Sequence, residues 1–359
     1  MLYKIAEKVI ELERQGKKII KFNVGDPDQA TPLEIVNEAI AAIKQGKTKY
    51  GSAAGESKLR EKIAETYKVN PGQVIITPGS KWAIFSIMSL YLKKGDNLIL
   101  PSPHWTAYEE IAKLLGIKIR FLKTELEKEW QLEPEKLKSL IDRNTKLIIL
   151  NNPNNPTSKV INEKAIEEIV DIANKKGIKI LADESYADIS FRKVKSILDL
   201  SEEHFFVNSF SKTFAMTGWR LGFAIVPINF AKEMIRLNQI TITCVPPFIQ
   251  EAGIKAIELK EKISKKMREI YKKRAELAIK LLSKTKLKFS KPDAPFYLFC
   301  KCFTDSTNSE KLAFELLEKG IAITPGSAFG DYKDCFRIAL TLPEHEMKKG
   351  LEALANFFA

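Results

Sequence analysis

The 359-residue chain has few of the residues that build metal centres, disulfide frameworks or membrane spans. Its three histidines, His104, His204 and His345, are widely scattered and none sits in a ligand-spaced cluster, so no metal site is expected. The four cysteines, Cys244, Cys300, Cys302 and Cys335, show no CxxC pairing and fall far below the density of a secreted disulfide scaffold. They read as reduced thiols in a cytoplasmic protein. The longest apolar run, Trp82 to Leu92, is interrupted by serines and stops far short of the roughly 20 residues that cross a bilayer. The first residues, Met1 to Lys8, mix charge with apolar side chains at helical spacing and lack the unbroken apolar stretch of an export signal. No membrane partner is expected.

What is present is ordinary for a water-soluble globular chain: 45% hydrophobic and 29% charged residues. At about 100–200 residues per domain, the length points to two domains. The formal charge of +13 would suit nucleic acid, acidic substrates or a lysine-rich surface. Between Glu258 and Lys284 the lysines alternate with glutamates at helix spacing, which is the pattern of a solvated helix face. No zinc finger, helix-turn-helix or aromatic-interleaved basic patch accompanies them, so nucleic acid is not expected.

From residue 74 onward short β-branched runs alternate with amphipathic segments. Val74–Ile76, Asn97–Leu100, Lys118–Phe121, Leu147–Leu150, Lys179–Ala182, Phe205–Asn208 and Leu221–Ile225 read as strands, separated by helix-length crossovers such as Glu163–Lys176. That grammar predicts an α/β fold with a mostly parallel sheet between helices. Beyond Pro246-Pro247 the pattern changes to one long charged helical region running to about Lys284. Short strands near Pro295–Phe299 and Phe336–Leu340 follow, with helices at 309–319 and 343–358. This part reads as a smaller α+β domain joined by the N-terminal helix. The expected division is 32–265 for the large domain and 1–31 with 266–359 for the small one.

Ligands of parallel sheets sit at the carboxyl ends of the strands, so the residues just after each strand carry most of the chemical information. After the first strand, Thr77-Pro78-Gly79-Ser80-Lys81 opens a helix whose free N–H groups could cradle a phosphate. After Leu150 comes Asn151-Asn152-Pro153-Asn154-Asn155-Pro156-Thr157, a run of turn formers. Asp183 and Tyr186 follow the strand Lys179–Ala182, where an aspartate either caps a turn or binds a ligand. Last come Asn208-Ser209-Phe210-Ser211-Lys212-Thr213 and Gly218-Trp219-Arg220, a lysine among hydroxyls with an arginine eight residues on.

In order and spacing these elements resemble the class I and II aminotransferases, the fold-type-I pyridoxal-phosphate enzymes, over essentially the whole chain. The resemblance begins at Asn23-Val24-Gly25-Asp26-Pro27-Asp28 and includes Lys49-Tyr50-Gly51. Its most specific part is Ser209-Phe210-Ser211-Lys212 with Arg220, and it ends near Arg337. It implies pyridoxal 5′-phosphate as cofactor, with Lys212 as the Schiff-base lysine that also moves the Cα proton. Asp183 would pair with the pyridinium nitrogen, and Tyr186 and Asn155 would donate to the 3′-oxygen. Gly79, Ser80, Ser209, Ser211 and Arg220 would form the phosphate cup, and Trp105 would stack on the ring. Tyr50 would reach the phosphate of a neighbouring subunit, which implies a homodimer. Arg337 and the main chain of Gly25 would hold the substrate carboxylate.

Lys81 either simply begins its helix or reaches a distal substrate carboxylate, as in aspartate-type members. Amino acids and 2-oxo acids are therefore the expected small-molecule partners, with aspartate or glutamate favoured as donor and 2-oxoglutarate as a typical acceptor in a ping-pong exchange. The same cofactor residues would also serve a carbon–sulfur β-lyase or an aromatic- or alanine-type aminotransferase. A non-catalytic amino-acid sensor on this scaffold would need an appended DNA-binding domain, and no such segment is visible. Two departures from the family pattern stand out. Ser158 replaces the glycine that usually follows the asparagine–proline–threonine motif, and Asp293-Ala294-Pro295-Phe296-Tyr297 lacks the usual glycine pair.

Overall fold

The computed structural model describes residues 2–302 and 308–359. After an N-terminal helix, Leu2–Arg14, comes the two-residue strand β1 (Ile20–Lys21). Seven strands then build the main sheet: β2 (Val74–Thr77), β3 (Asn97–Ser102), β4 (Lys118–Lys123), β5 (Thr145–Asn151), β6 (Lys179–Asp183), β7 (Phe205–Ser209) and β8 (Gly222–Ile225). Their order across the sheet is β2, β8, β7, β6, β5, β3, β4. All neighbours pair in parallel except β8, which runs antiparallel to both β2 and β7.

Period-two alternation sends successive side chains into two separate cores. Ile148, Leu150, Ile180, Ala182 and Phe206 join one cluster, which is covered by helices Leu33–Lys44, Ser57–Tyr67, Glu163–Lys176 and Pro247–Glu258. Leu147, Ile149, Leu181, Phe205 and Val207 join the other, beneath helices Ser80–Tyr91, Thr106–Leu114 and Ile228–Thr241. Strands β5, β6 and β7 are buried on both faces, which explains why they are written largely in β-branched, leucine and aromatic residues, whereas the edge strand β4 is mostly exposed or half-buried.

The remaining strands are β9 (Tyr297–Lys301), β10 (Ile321–Ala322), β11 (Thr324–Pro325) and β12 (Cys335–Ala339). β11, β12 and β9 form an antiparallel sheet in that order, while β10 pairs in parallel with β1. Ile5, Val9, Leu12 and Phe22 share one core with Ala278, Leu316, Ile338 and Leu351, so the two chain ends pack as a unit.

One sequence expectation is corrected. The long helical region ending near Lys284 is two helices, Pro247–Glu258 and Lys260–Leu282, broken at Leu259, whose φ of −95° and ψ of 5° leave the helical basin. Leu259 packs against the large core, and the break lets one charged-looking stretch serve two packing directions. The strands β1, β10 and β11 were not legible: two residues are too short to show alternation. Among the described residues no helix is long and apolar enough to cross a membrane.

Candidate active site

The topology collects chemistry at one edge of the main sheet. The parallel strands end there, and β8, because it runs the other way, begins there. That reversal brings Arg220, just before β8, beside Ser209 at the end of β7, since Ser209 and Gly222 are register partners. A cavity of about 340 Å³ opens at this edge. Its lining includes Gly25, Ser80, Lys81, Trp105, Asn155, Asp183, Tyr186, Ser209, Ser211, Lys212, Arg220 and Arg337. Of the residues singled out from sequence, Gly79 stands just behind the lining and Tyr50 lies outside it, 87% exposed.

Asp183 is the last residue of β6 and is buried. Its Oδ1 accepts from the Ser185 N–H (3.1 Å) and hydroxyl (2.6 Å), and its Oδ2 accepts from the Tyr108 hydroxyl (2.8 Å). Burial pushes its carboxyl above the usual range, opposed by those bonds and by Lys212. Lys212 lies in the single-turn helix Phe210–Thr213, whose first N–H groups are capped by Ser209 Oγ accepting from Ser211 N–H at 3.1 Å. Lys212 Nζ donates to the Gly25 carbonyl at 2.8 Å.

Arg220 adopts a left-handed backbone, φ +53°, and donates from Nη1 to the Thr217 carbonyl (2.6 Å) and from Nη2 to the Pro78 carbonyl (3.4 Å). Gly79, with φ +81°, caps the helix Ser80–Tyr91, and a Cβ there would collide with the Arg220 guanidinium. Only glycine satisfies both conditions.

Across the cavity, Arg337 projects from β12. Its Nη1 donates to Asn155 Oδ1 (2.9 Å) and its Nη2 to the Asn23 carbonyl (3.0 Å), while its buried Nε has no partner among the described residues. Its guanidinium carbon lies 4.2 Å from the Tyr297 ring centre and 4.9 Å from that of Phe329. Burial lowers its pKa from the ordinary arginine value. The Tyr186 and Tyr297 hydroxyls are 3.1 Å apart, and burial together with Tyr297 holds the Tyr186 phenol protonated well above its ordinary range. Lys81 Nζ sits 5.0 Å from the centre of the Trp105 ring. Burial, then Arg220 and Lys212, pull its pKa down.

Tyr108, Ser185, Thr217, Tyr297 and Phe329 were missed as site residues. Tyr108 carried no signal beyond a phenol on the apolar stripe of its helix. Ser185, two residues past Asp183, was the more readable partner.

These residues fit pyridoxal phosphate. The cavity carries four cations, Lys81, Lys212, Arg220 and Arg337, against one carboxylate, Asp183, which suits a strongly anionic ligand with one cationic ring atom. The helix start at Ser80, with Gly79 packed against the Arg220 guanidinium and with Ser209 and Ser211 alongside, fits a phosphate.

Residues 17–354 match the family model described as aminotransferase class I and II. A curated aspartate aminotransferase of Thermococcus kodakarensis is 37% identical over 334 residues, covering 92% of this chain and 85% of the relative. The solved aspartate aminotransferase from Thermus thermophilus with maleate superposes with a TM-score of 0.95 at 31% identity, over 99% of this chain and 96% of that one. An aromatic aminotransferase from Pyrococcus horikoshii superposes with a TM-score of 0.91 at 32% identity, over 94% and 95%. The chain belongs to the class I and II aminotransferases. It is a pyridoxal-phosphate-dependent transaminase on the fold-type-I scaffold.

Proposed function

We propose that this aminotransferase takes a dicarboxylic donor, aspartate or glutamate, and passes its amino group to a 2-oxo acid such as 2-oxoglutarate by ping-pong exchange. The observation that carries this reading is the charge inventory of the cavity. If Arg220 serves the phosphate and Lys212 the reacting carbon, two cations are left over, Arg337 and Lys81, one for each carboxylate of such a substrate. The names of the relatives support the same donor class.

Pyridoxal phosphate, when bound, supplies a conjugated ring that accepts the electrons left as the Cα proton departs. Asp183, buried and oriented by Ser185 and Tyr108, would hold the ring nitrogen in its protonated form. Tyr186, and the Asn155 amide left over by the Oδ1 contact to Arg337, would donate to the 3′-oxygen. Trp105 would cover one ring face. Gly79, Ser80, Ser209, Ser211 and Arg220 would hold the phosphate. Arg337 with the Gly25 main chain would orient the substrate so that its Cα–H bond stands perpendicular to the ring, within reach of Lys212 Nζ as the proton carrier.

The exposed Tyr50 would complete a neighbouring site in a homodimer. Closure of the part formed by 1–31 and 266–359 over 32–265 would exclude water.

The test is an absorbance spectrum of the loaded protein with aspartate, glutamate, alanine and phenylalanine added separately. Aspartate or glutamate should shift the cofactor band and 2-oxoglutarate should restore it. A response to alanine or phenylalanine alone would overturn the donor assignment.

A further inference from the structure

The two departures from the family pattern, Ser158 and Asp293-Ala294-Pro295, lie against each other in the structure. Ser158 is fully buried with φ +55°, a conformation in which glycine carries no steric cost and serine does. Its hydroxyl is nevertheless used. Ser158 Oγ accepts a hydrogen bond from the Tyr297 N–H at 3.0 Å, and its carbonyl accepts from the Asp293 N–H at 2.9 Å. Asp293 is fastened in turn. Its Oδ2 accepts from the Val160 N–H and pairs with the buried Lys159 ammonium, both at 3.2 Å. Its carbonyl accepts from the Phe191 N–H at 2.8 Å and the Ser190 hydroxyl at 3.0 Å. Residues 293–297 are thereby strapped to two loops at the edge of the main sheet, where a glycine pair would leave the chain free.

What the strap delivers is Tyr297. Phe299 is the register partner of Arg337, so Tyr297, two residues earlier on β9, is the diagonal neighbour of Arg337 on the same face. Its ring lies against the guanidinium and its hydroxyl meets that of Tyr186. Without the serine hydroxyl the buried Tyr297 N–H loses this acceptor, and a buried unpaired donor forces the start of β9 to shift.

We propose that Ser158 is a positioning residue: through Tyr297 it sets the orientation of Arg337 and holds the carboxylate clamp preformed. The proposal rests on reading Arg337 as the group that binds the substrate carboxylate.

Ser158→Gly and Ser158→Ala, made in the cofactor-loaded protein, test it together. Both lack the hydroxyl, but glycine relaxes the left-handed backbone and alanine remains strained there, so the melting temperature should hold or rise in the first and fall relative to it in the second. Both should raise KM for donor and 2-oxo acid alike by about five-fold, the effect of one neutral hydrogen bond. The cofactor band should be unchanged, and kcat should stay within about two-fold, as for an interaction made equally in ground and transition states. A wild-type KM in Ser158→Gly overturns the proposal, as does a KM rise confined to the less stable Ser158→Ala. Arg337→Lys run in parallel separates the two readings. If it leaves KM unchanged, the clamp reading falls and the proposal with it; if it raises KM while Ser158→Gly does not, only the strap is wrong.

Discussion

The two ends of the cavity are built in different ways. The end that carries Asp183, Ser209, Ser211, Lys212 and Arg220 is made from the tips of adjacent strands, with its residues clustered in two short stretches of chain and set by the rigid parallel sheet. The end that carries Arg337 is assembled from remote segments. Asn155 lies 182 residues from Arg337 and Asn23 lies 314, yet both accept its hydrogen bonds. Lys212 spans the two ends, reaching 187 residues back to Gly25. The first end is placed by backbone topology, with Ser185 and Tyr108 orienting Asp183. The second depends on how two cores pack, and its precision has to be supplied by side-chain bonds such as those of Ser158.

Mutations can break this contrast in graded steps. The largest loss is expected from Lys212→Ala. With no amine near the reacting carbon, turnover should fall by a factor on the order of 10⁴ in a steady-state assay, while the fold, read by circular dichroism, persists. Next comes Arg337→Ala. If Arg337 binds the substrate carboxylate as proposed, removing this buried charge should cost about 3 kcal/mol, roughly 100-fold in kcat/KM, with the cofactor band intact. Equal damage to cofactor retention from Arg337→Ala would erase the division between the two ends. Lys81→Met should reduce kcat/KM for aspartate by about ten-fold through loss of one charge-assisted contact, and leave alanine nearly untouched. Donor competition measures that ratio directly.

The smallest expected effect concerns the back of the same strand tip. Glu184 follows Asp183 but faces away, accepting from the Ile197 N–H at 2.9 Å, and burial raises its pKa to about 8. Its folded pKa lies above the unfolded value near 4.5, so the folded state holds the extra proton. The resulting stability is complete below that unfolded value and is lost as pH rises through about 8. Glu184→Gln keeps the acceptor and removes the titration. It should raise the melting temperature by a few degrees at pH 8 and by less at pH 5. An equal gain at both pH values would show that Glu184 is not the titrating group.

Much of the fold was legible because burial on both faces writes strands in β-branched and aromatic runs. The strand ends then announced themselves through hydroxyls, asparagines and charges where a buried strand should stop. The break at Leu259 was hidden, because lysine and glutamate at helix spacing look the same in one helix or two. Tyr108 and Tyr297 were hidden too: an aromatic on an apolar stripe signals packing, and only the cavity shows that their hydroxyls face Asp183 and Tyr186. Ser158 and Asp293 were visible as irregularities, but a separation of 135 positions along the chain concealed that they meet.

By itself, then, the sequence determined the main sheet, the stretch that sets Lys212 among hydroxyls, and the family, since these depend on periodicity and on residues close together in the chain. Only the tertiary structure decided how Arg337 is aimed, what surrounds Asp183 and how Ser158 is used. Those contacts join distant segments through cores whose packing has no local signature, so the chain can specify them without displaying them.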